Sequence, residues 1–248
     1  GNGLSGLSSD QIGALSTAAI NTLSGAQINA LGTSTIGSLS TSQLRALSSS
    51  AINTLSSAQV AQLDTKIATL TSSQIGALST TVVRELSSAQ IQALGTAGIA
   101  ALRTNQIQAL DTEDVTNLTF AQIGGLSTSQ LSALSAAQIA GLETADMGAL
   151  TGAQIKSLST SVISQLNSDQ IANLSSAAIQ AFTTTQVRAL TSAQISSFPT
   201  NQNPYVTTTQ IAALSSSQIQ YINQLSPNQI KAVSTRSEEH TSELQSHS

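Results

Sequence analysis

Cysteine and tryptophan are absent from the 248 residues of this chain, and proline, methionine and the aromatics are nearly so. Without cysteine there is no disulfide framework and no thiol chemistry. That absence is compatible with export from the cell and does not by itself establish it. Charge is equally scarce. Asp, Glu, Lys and Arg make up 8% of residues, against about 25% in ordinary globular chains. No basic patch exists, so nucleic acid is not an expected partner. Hydrophobic residues reach 40%, but as isolated Ile, Leu and Ala, never as an 18-residue apolar run, so no membrane insertion by a helix is expected. A net charge of only −4 also argues against intrinsic disorder, which pairs low hydrophobicity with high charge.

Histidine is confined to one end. His240 and His247 lie in or beside RSEEHTSELQS, residues 236–246, which resembles the translation of a common short-read sequencing adapter. The segment 236–248 is therefore expected to be a non-native tail and is left out of the fold argument. Glu238, Glu239, Glu243 and Arg236 go with it. The basic count falls from 8 to 7 and the acidic count from 12 to 9, a net of −2. What remains has neither His nor Cys. The start at Gly1, with the repeat already running at Leu7, is expected to reflect a fragment.

What is present is a phrase of eight. Leucine recurs at Leu7, Leu15, Leu23, Leu31, Leu39, Leu47, Leu55 and Leu63, loses one residue in LDTKIATL, and resumes from Leu70 through Leu190, with Phe182 and Phe198 in leucine slots. Ile or Val stands three residues before most of them. Internal periodicity of this kind decides the fold before anything else does. The residue before Ile alternates: Gln11, Ala19, Gln27, Thr35, Gln43, Ala51, Gln59, Lys66, Gln74. Octads counted from Ser8–Leu15 carry glutamine at odd positions, and even octads two to twenty-two lack it except at Gln130. The repeat is thus sixteen residues built of two unlike octads.

One continuous helix does not fit, because eight residues at 3.6 per turn rotate the apolar pair by about 80° per octad and no stripe forms. A strand would put Ile and Leu on opposite faces with few β-branched neighbours. A short helix restarted in every octad fits better. Ser, Thr, Asp, Asn or Gly follows nearly every leucine, as helix N-caps require. Glutamine three residues later completes a capping box in Ser56–Gln59, Ser87–Gln90 and Thr191–Gln194. Ser226-Pro227-Asn228-Gln229 adds a proline at the first helical position. A lone octad cannot stand: Ile and Leu contribute roughly 1.5–3 kcal/mol each on burial, against on the order of 8–16 kcal/mol to order eight backbones. Stacking must supply the rest. The expected fold is an all-α solenoid of short capped helices, two octads per 16-residue coil. The alternative is a β-solenoid with 16-residue coils. The regular array is expected over residues 1–198, and degenerate terminal repeats over 199–235.

The octads LSSAQIQAL (86–94) and LTGAQIKSL (150–158) resemble the L(S/T)TAQIxAL arrays of very large secreted or surface proteins of bacteria, over roughly residues 7 to 198. The resemblance implies an extracellular or cell-surface location and a spacer or adhesin role, and brings no catalytic residues.

Candidate sites are few. Asp111, Glu113 and Asp114 could offer oxygens to a hard cation, but no EF-hand spacing is present and helix-start acids favoured by the dipole are the expected reading. The glutamines could form a binding ladder of amides, though capping is the expected role. Serine is abundant, but a serine nucleophile needs a base, and Lys66, Lys156 and Lys231 lie in no motif. No enzyme is expected, and no catalytic, cofactor or metal residue is assigned. Pro199, Pro204, Tyr205 and Tyr221 gather where the rhythm breaks. They could line a pocket, but a terminal segment shielding the core is expected. The functional expectation is a structural repeat or spacer segment. The alternative is a binding module whose regular Ser/Thr surface takes a surface glycan or, less readily, ice.

Overall fold

The computed structural model describes residues 7–222 and 225–233. It is a succession of short helices, four to six residues each, with a further helical stretch over 227–233 and no strand among the described residues. The all-α solenoid is thereby established, and the β-solenoid alternative falls away. The tail 236–248 and both histidines lie outside the described residues. The chain divides into two compact units, Gly1–Leu134 and Ser135–Ser248, and both are built from the same octad.

Ser87–Leu94 shows how an octad works. Ser87 has extended backbone (φ −71°, ψ 159°), and its hydroxyl accepts from Gln90 N while the Gln90 side chain accepts from Ser87 N. This reciprocal box closes the helix start, where the first N–H groups have no partner in the helix. The same box forms in octads capped by Ser8, Ser24, Ser40, Thr71, Thr119, Asn167 and Thr207, and at Ser226–Gln229, where the sequence pattern was sharpest. Arg103 carries no acceptor, and there only the returning half exists, Arg103 N donating to Gln106 Oε1. Most helices then end at or just before their leucine. Leu78, Leu110 and Leu158 turn extended, with ψ between 132° and 138°, and hand the chain to the next cap.

Ile and Leu of successive octads fill one continuous core within each unit. Ile12, Ile36, Ile91 and Ile139 are fully buried, as are Leu63 and Leu78. Three elements are 3-10 helices, none with a side-chain cap: Asp64–Thr69, Thr144–Ala149 and Thr200–Tyr205. The first absorbs the residue missing from LDTKIATL, and Asp64 there adopts φ 50°.

The sixteen-residue coil does not survive. A helix packs chiefly on the helix three elements further on: Gly25–Asn29 on Ser49–Thr54 in the first unit, and Gly152–Ser157 on Ser176–Ala181 in the second. Side-chain bonds reach one octad further still. A turn of the coil therefore closes between three and four octads, 24 to 32 residues, or about 90–120° per octad. The cause is local. The extended leucine between helices bends the path by far less than the half-turn that two octads per coil would need. The sixteen-residue alternation marks which octads carry glutamine, not where the coil closes.

Candidate functional site

The glutamine slot is the most constrained polar position in the chain. Gln106 has no exposed surface. Its Oε1 accepts from Arg103 N at 2.7 Å. Its Nε2 donates to Ile75 O at 2.9 Å and Leu78 O at 2.8 Å, 31 and 28 residues earlier. Those two oxygens belong to the carbonyl end of the helix Ser72–Ala77 and its leucine, where helical partners run out. One amide thus caps the start of its own helix and the end of the helix four octads before. Gln43, Gln59, Gln130 and Gln170 repeat this with the Ile and Leu carbonyls 31 and 28 residues back. Burying an amide is tolerated only when its donors and acceptor are met, and here they are. The expected capping role is present. The binding-ladder reading finds the inner amides committed to backbone, so they are not offered to a ligand.

Lysine takes over the donor role in one octad, and a glutamine keeps it in the degenerate segment. Lys66, in the same slot of the shortened octad, donates from Nζ to Gly37 O and to Leu39 O, the latter at 3.0 Å. Gln202, within the degenerate segment, donates to Leu174 O at 2.8 Å. Sequence reading placed Lys66 in the slot and gave it no role. The signal was there: a long side chain ending in N–H donors. Lys156, by contrast, is exposed in the last turn of its helix.

A second set of bonds runs the other way. The residue after Ile reaches forward by three octads: Asn21 to Ala46 O, Asn53 to Ala77 O and Arg188 to Ala213 O, each at 3.0 Å. These lie at or near the surface and add to the buried glutamine bonds.

Asp111 and Asp114 form a capping box with each other, Asp114 N donating to Asp111 Oδ1 at 2.8 Å and Asp111 N to Asp114 Oδ2 at 3.1 Å. Asp114 occupies the glutamine slot and is buried. Burial pushes its carboxyl up to about 6, and the neighbouring charges of Asp111 and Glu113 push the same way while the backbone bond opposes them. Glu113 is exposed. The three acids start a helix, as the dipole favours, and among the described residues no group of His, Cys, Asp and Glu is gathered to hold a metal. Asp146 is also raised, by burial first and then by Glu143.

A cavity of about 80 Å³ lies in the second unit where the rhythm breaks. Its walls include Phe182, Phe198, Asn203, Val206 and Leu214. Tyr205 and Tyr221, the aromatics that drew notice in the sequence, are not among its walls and stand exposed. The void has a sequence cause. Asn203 fills an isoleucine slot and Val206 a leucine slot, so two core positions are short of apolar volume. Within the degenerate segment, Gln229 Nε2 donates to Asn203 O and Val206 O.

No helix among the described residues is long and apolar enough to cross a membrane. No curated protein matches the chain. The profile of the ALTTAQ repeat matches residues 4–41, 35–65, 67–104, 83–120, 107–143, 139–176 and 171–200. These matches tile most of the sequence and coincide with the capped octads whose Ala-Gln-Ile core has just been described, so the chain belongs to the ALTTAQ repeat family.

Proposed function

We propose that this chain is a structural spacer, a non-catalytic repeat segment of a larger exported or cell-surface bacterial protein. The observation that carries the reading is the commitment of the inner glutamine amides to the array itself. The chain's most regularly placed polar groups, among them Gln59, Gln106 and Gln130, join one octad to another. A repeat whose recurring polar chemistry serves its own cohesion suits a part whose task is to persist and hold distance. The surface location rests on the resemblance to secreted repeat arrays, with which the lack of cysteine is compatible.

Antibodies against the array test the location: they should label intact cells of the source organism as strongly as permeabilised ones. Labelling only after permeabilisation would remove the exported reading. Glycan arrays and ice-recrystallisation assays test the role. A saturable signal that disappears when exposed threonines such as Thr17 and Thr128 are replaced would make the chain a binding module instead.

A further inference from the structure

The cavity in the second unit follows from the sequence and is apolar in character. In a regular octad the isoleucine and leucine slots are both filled and buried, as Ile155 and Leu158 show. In Pro199–Val206 those slots hold Asn203 and Val206, and about 80 Å³ stays unfilled. Ile179, Phe182, Ile195, Ile211 and Leu214 form walls and are themselves buried. All belong to the second unit.

Four amide side chains also line the space, and water could use them only if their polar atoms were open. Gln194 Nε2 donates to Ile163 O and Leu166 O, and Gln210 Nε2 to Ile179 O and Phe182 O. Their Oε1 atoms accept from Thr191 N and Thr207 N. Gln229 is held in the same way by Asn203 O, Val206 O and Ser226 N, and Asn203 is engaged as well. A buried water needs about two to four polar partners. Apolar walls and committed amides do not supply them, which is the condition under which a void stays dry and admits apolar solutes.

Size narrows the class of solute. A water-sized group takes about 30 Å³ of liquid volume, so the space holds roughly two to three such groups. A charged or hydrogen-bonding molecule would give up its water shell and gain no partner.

We propose that this cavity is a binding site for a small, uncharged, apolar molecule, of the size of a xenon atom or of propane. Asn203, in its wall, belongs to the 3-10 helix Thr200–Tyr205, which has no side-chain cap, and local opening of that short element is the way in. The site goes beyond the spacer reading and does not rest on it, since a spacer needs no cavity.

The test uses the full chain in solution, equilibrated with xenon until the xenon NMR signal is constant. Wild type should move the xenon chemical shift in proportion to protein concentration, well beyond the same chain unfolded in urea. Val206→Leu fills part of the space and should weaken that effect by roughly threefold or more, while Val206→Ala enlarges the space and should strengthen it. Circular dichroism checks that both variants fold. Propane-saturated buffer should raise the melting temperature of wild type more than that of Val206→Leu, because a ligand held only by the folded state stabilises it. A wild-type xenon shift no larger than that of the unfolded chain overturns the proposal. So does a shift that is the same in all three proteins, or a propane effect equal in wild type and Val206→Leu, either of which would place the solute elsewhere.

Discussion

Lys66 Nζ lies 3.0 Å from the carbonyl oxygen of Leu39, 27 residues earlier, where other octads place a glutamine amide. The lysine supplies the donors but cannot accept, so its helix, a 3-10 helix, starts without a box. Lys66→Gln should therefore change stability by less than about 1 kcal/mol, the donors being kept. Lys66→Met removes them, leaves two helix-end carbonyls unmet, and should cost about 1–3 kcal/mol in urea unfolding. Equal effects of the two substitutions would show that the donors do not matter.

Gly95 should resist the change that the repeat itself recommends. Its φ is +65°, a region that side chains other than glycine enter at a cost of roughly 1–2 kcal/mol. Ser at this slot is the commonest cap elsewhere in the chain, yet Gly95→Ser should lower stability by about 1 kcal/mol. Asp64, at φ 50°, is the mirror case, and Asp64→Gly should be neutral or stabilising by up to about 1 kcal/mol. At both places the glutamine four octads on bonds the residue after leucine, Gln90 to Asp64 O and Gln122 to Gly95 O. The left-handed turn moves the available carbonyl by one residue. A gain in melting temperature for Gly95→Ser would contradict this.

Asp114 should make stability depend on pH in an unusual direction. Its folded pKa of about 6 lies above its ordinary 3.8, so the folded chain holds the proton over a range where the unfolded chain has lost it. The contribution is fully present below pH 3.8 and is lost as pH rises through about 6. Asp114→Asn cannot lose a proton. Its stability relative to wild type should rise between pH 4 and pH 7 and then level off. Parallel pH profiles for the two proteins would place the carboxylate in a solvated site.

The cavity beside Phe198 and Val206 should be fillable. Val206→Leu restores the residue type of the slot and adds one methylene to an apolar space, for a gain of about 0.8 kcal/mol. A loss of similar size would mean that the space is already occupied by neighbouring side chains.

The octad, its helix and its caps were legible in the sequence because each depends on residues no more than seven apart. The length of the coil was not. Ile and Leu are alike in every octad, so nothing in the spelling says whether an octad meets the second, third or fourth one after it. The sixteen-residue alternation of Gln90 and Gly98 invited a two-octad coil, yet glutamine bonds span four octads and so keep the alternation whatever the coil length. The second task of the glutamine was hidden for the same reason: its partners are backbone carbonyls, which leave no mark in a sequence. The pocket at 199–206 was legible as a break in rhythm. Which side chains line it, Phe182 and Phe198 rather than Tyr205 and Tyr221, was fixed by the core slots that those phenylalanines share with leucine.

Gln106→Glu tests the central claim, that one amide joins two octads four places apart. Glutamate keeps the acceptor of a capping box, so a glutamine that only caps would lose no more than the cost of burying the charge. If Nε2 also holds Ile75 O and Leu78 O, the variant sets a buried carboxylate against two carbonyl oxygens and should lose about 2–4 kcal/mol at pH 7. Acid should return part of that loss, because the protonated carboxyl regains a donor. Urea unfolding of wild type and variant at pH 7 and pH 4 reads both effects. A large loss at pH 7 that shrinks at pH 4 is the predicted result, and a variant as stable as wild type at pH 7 would contradict the account.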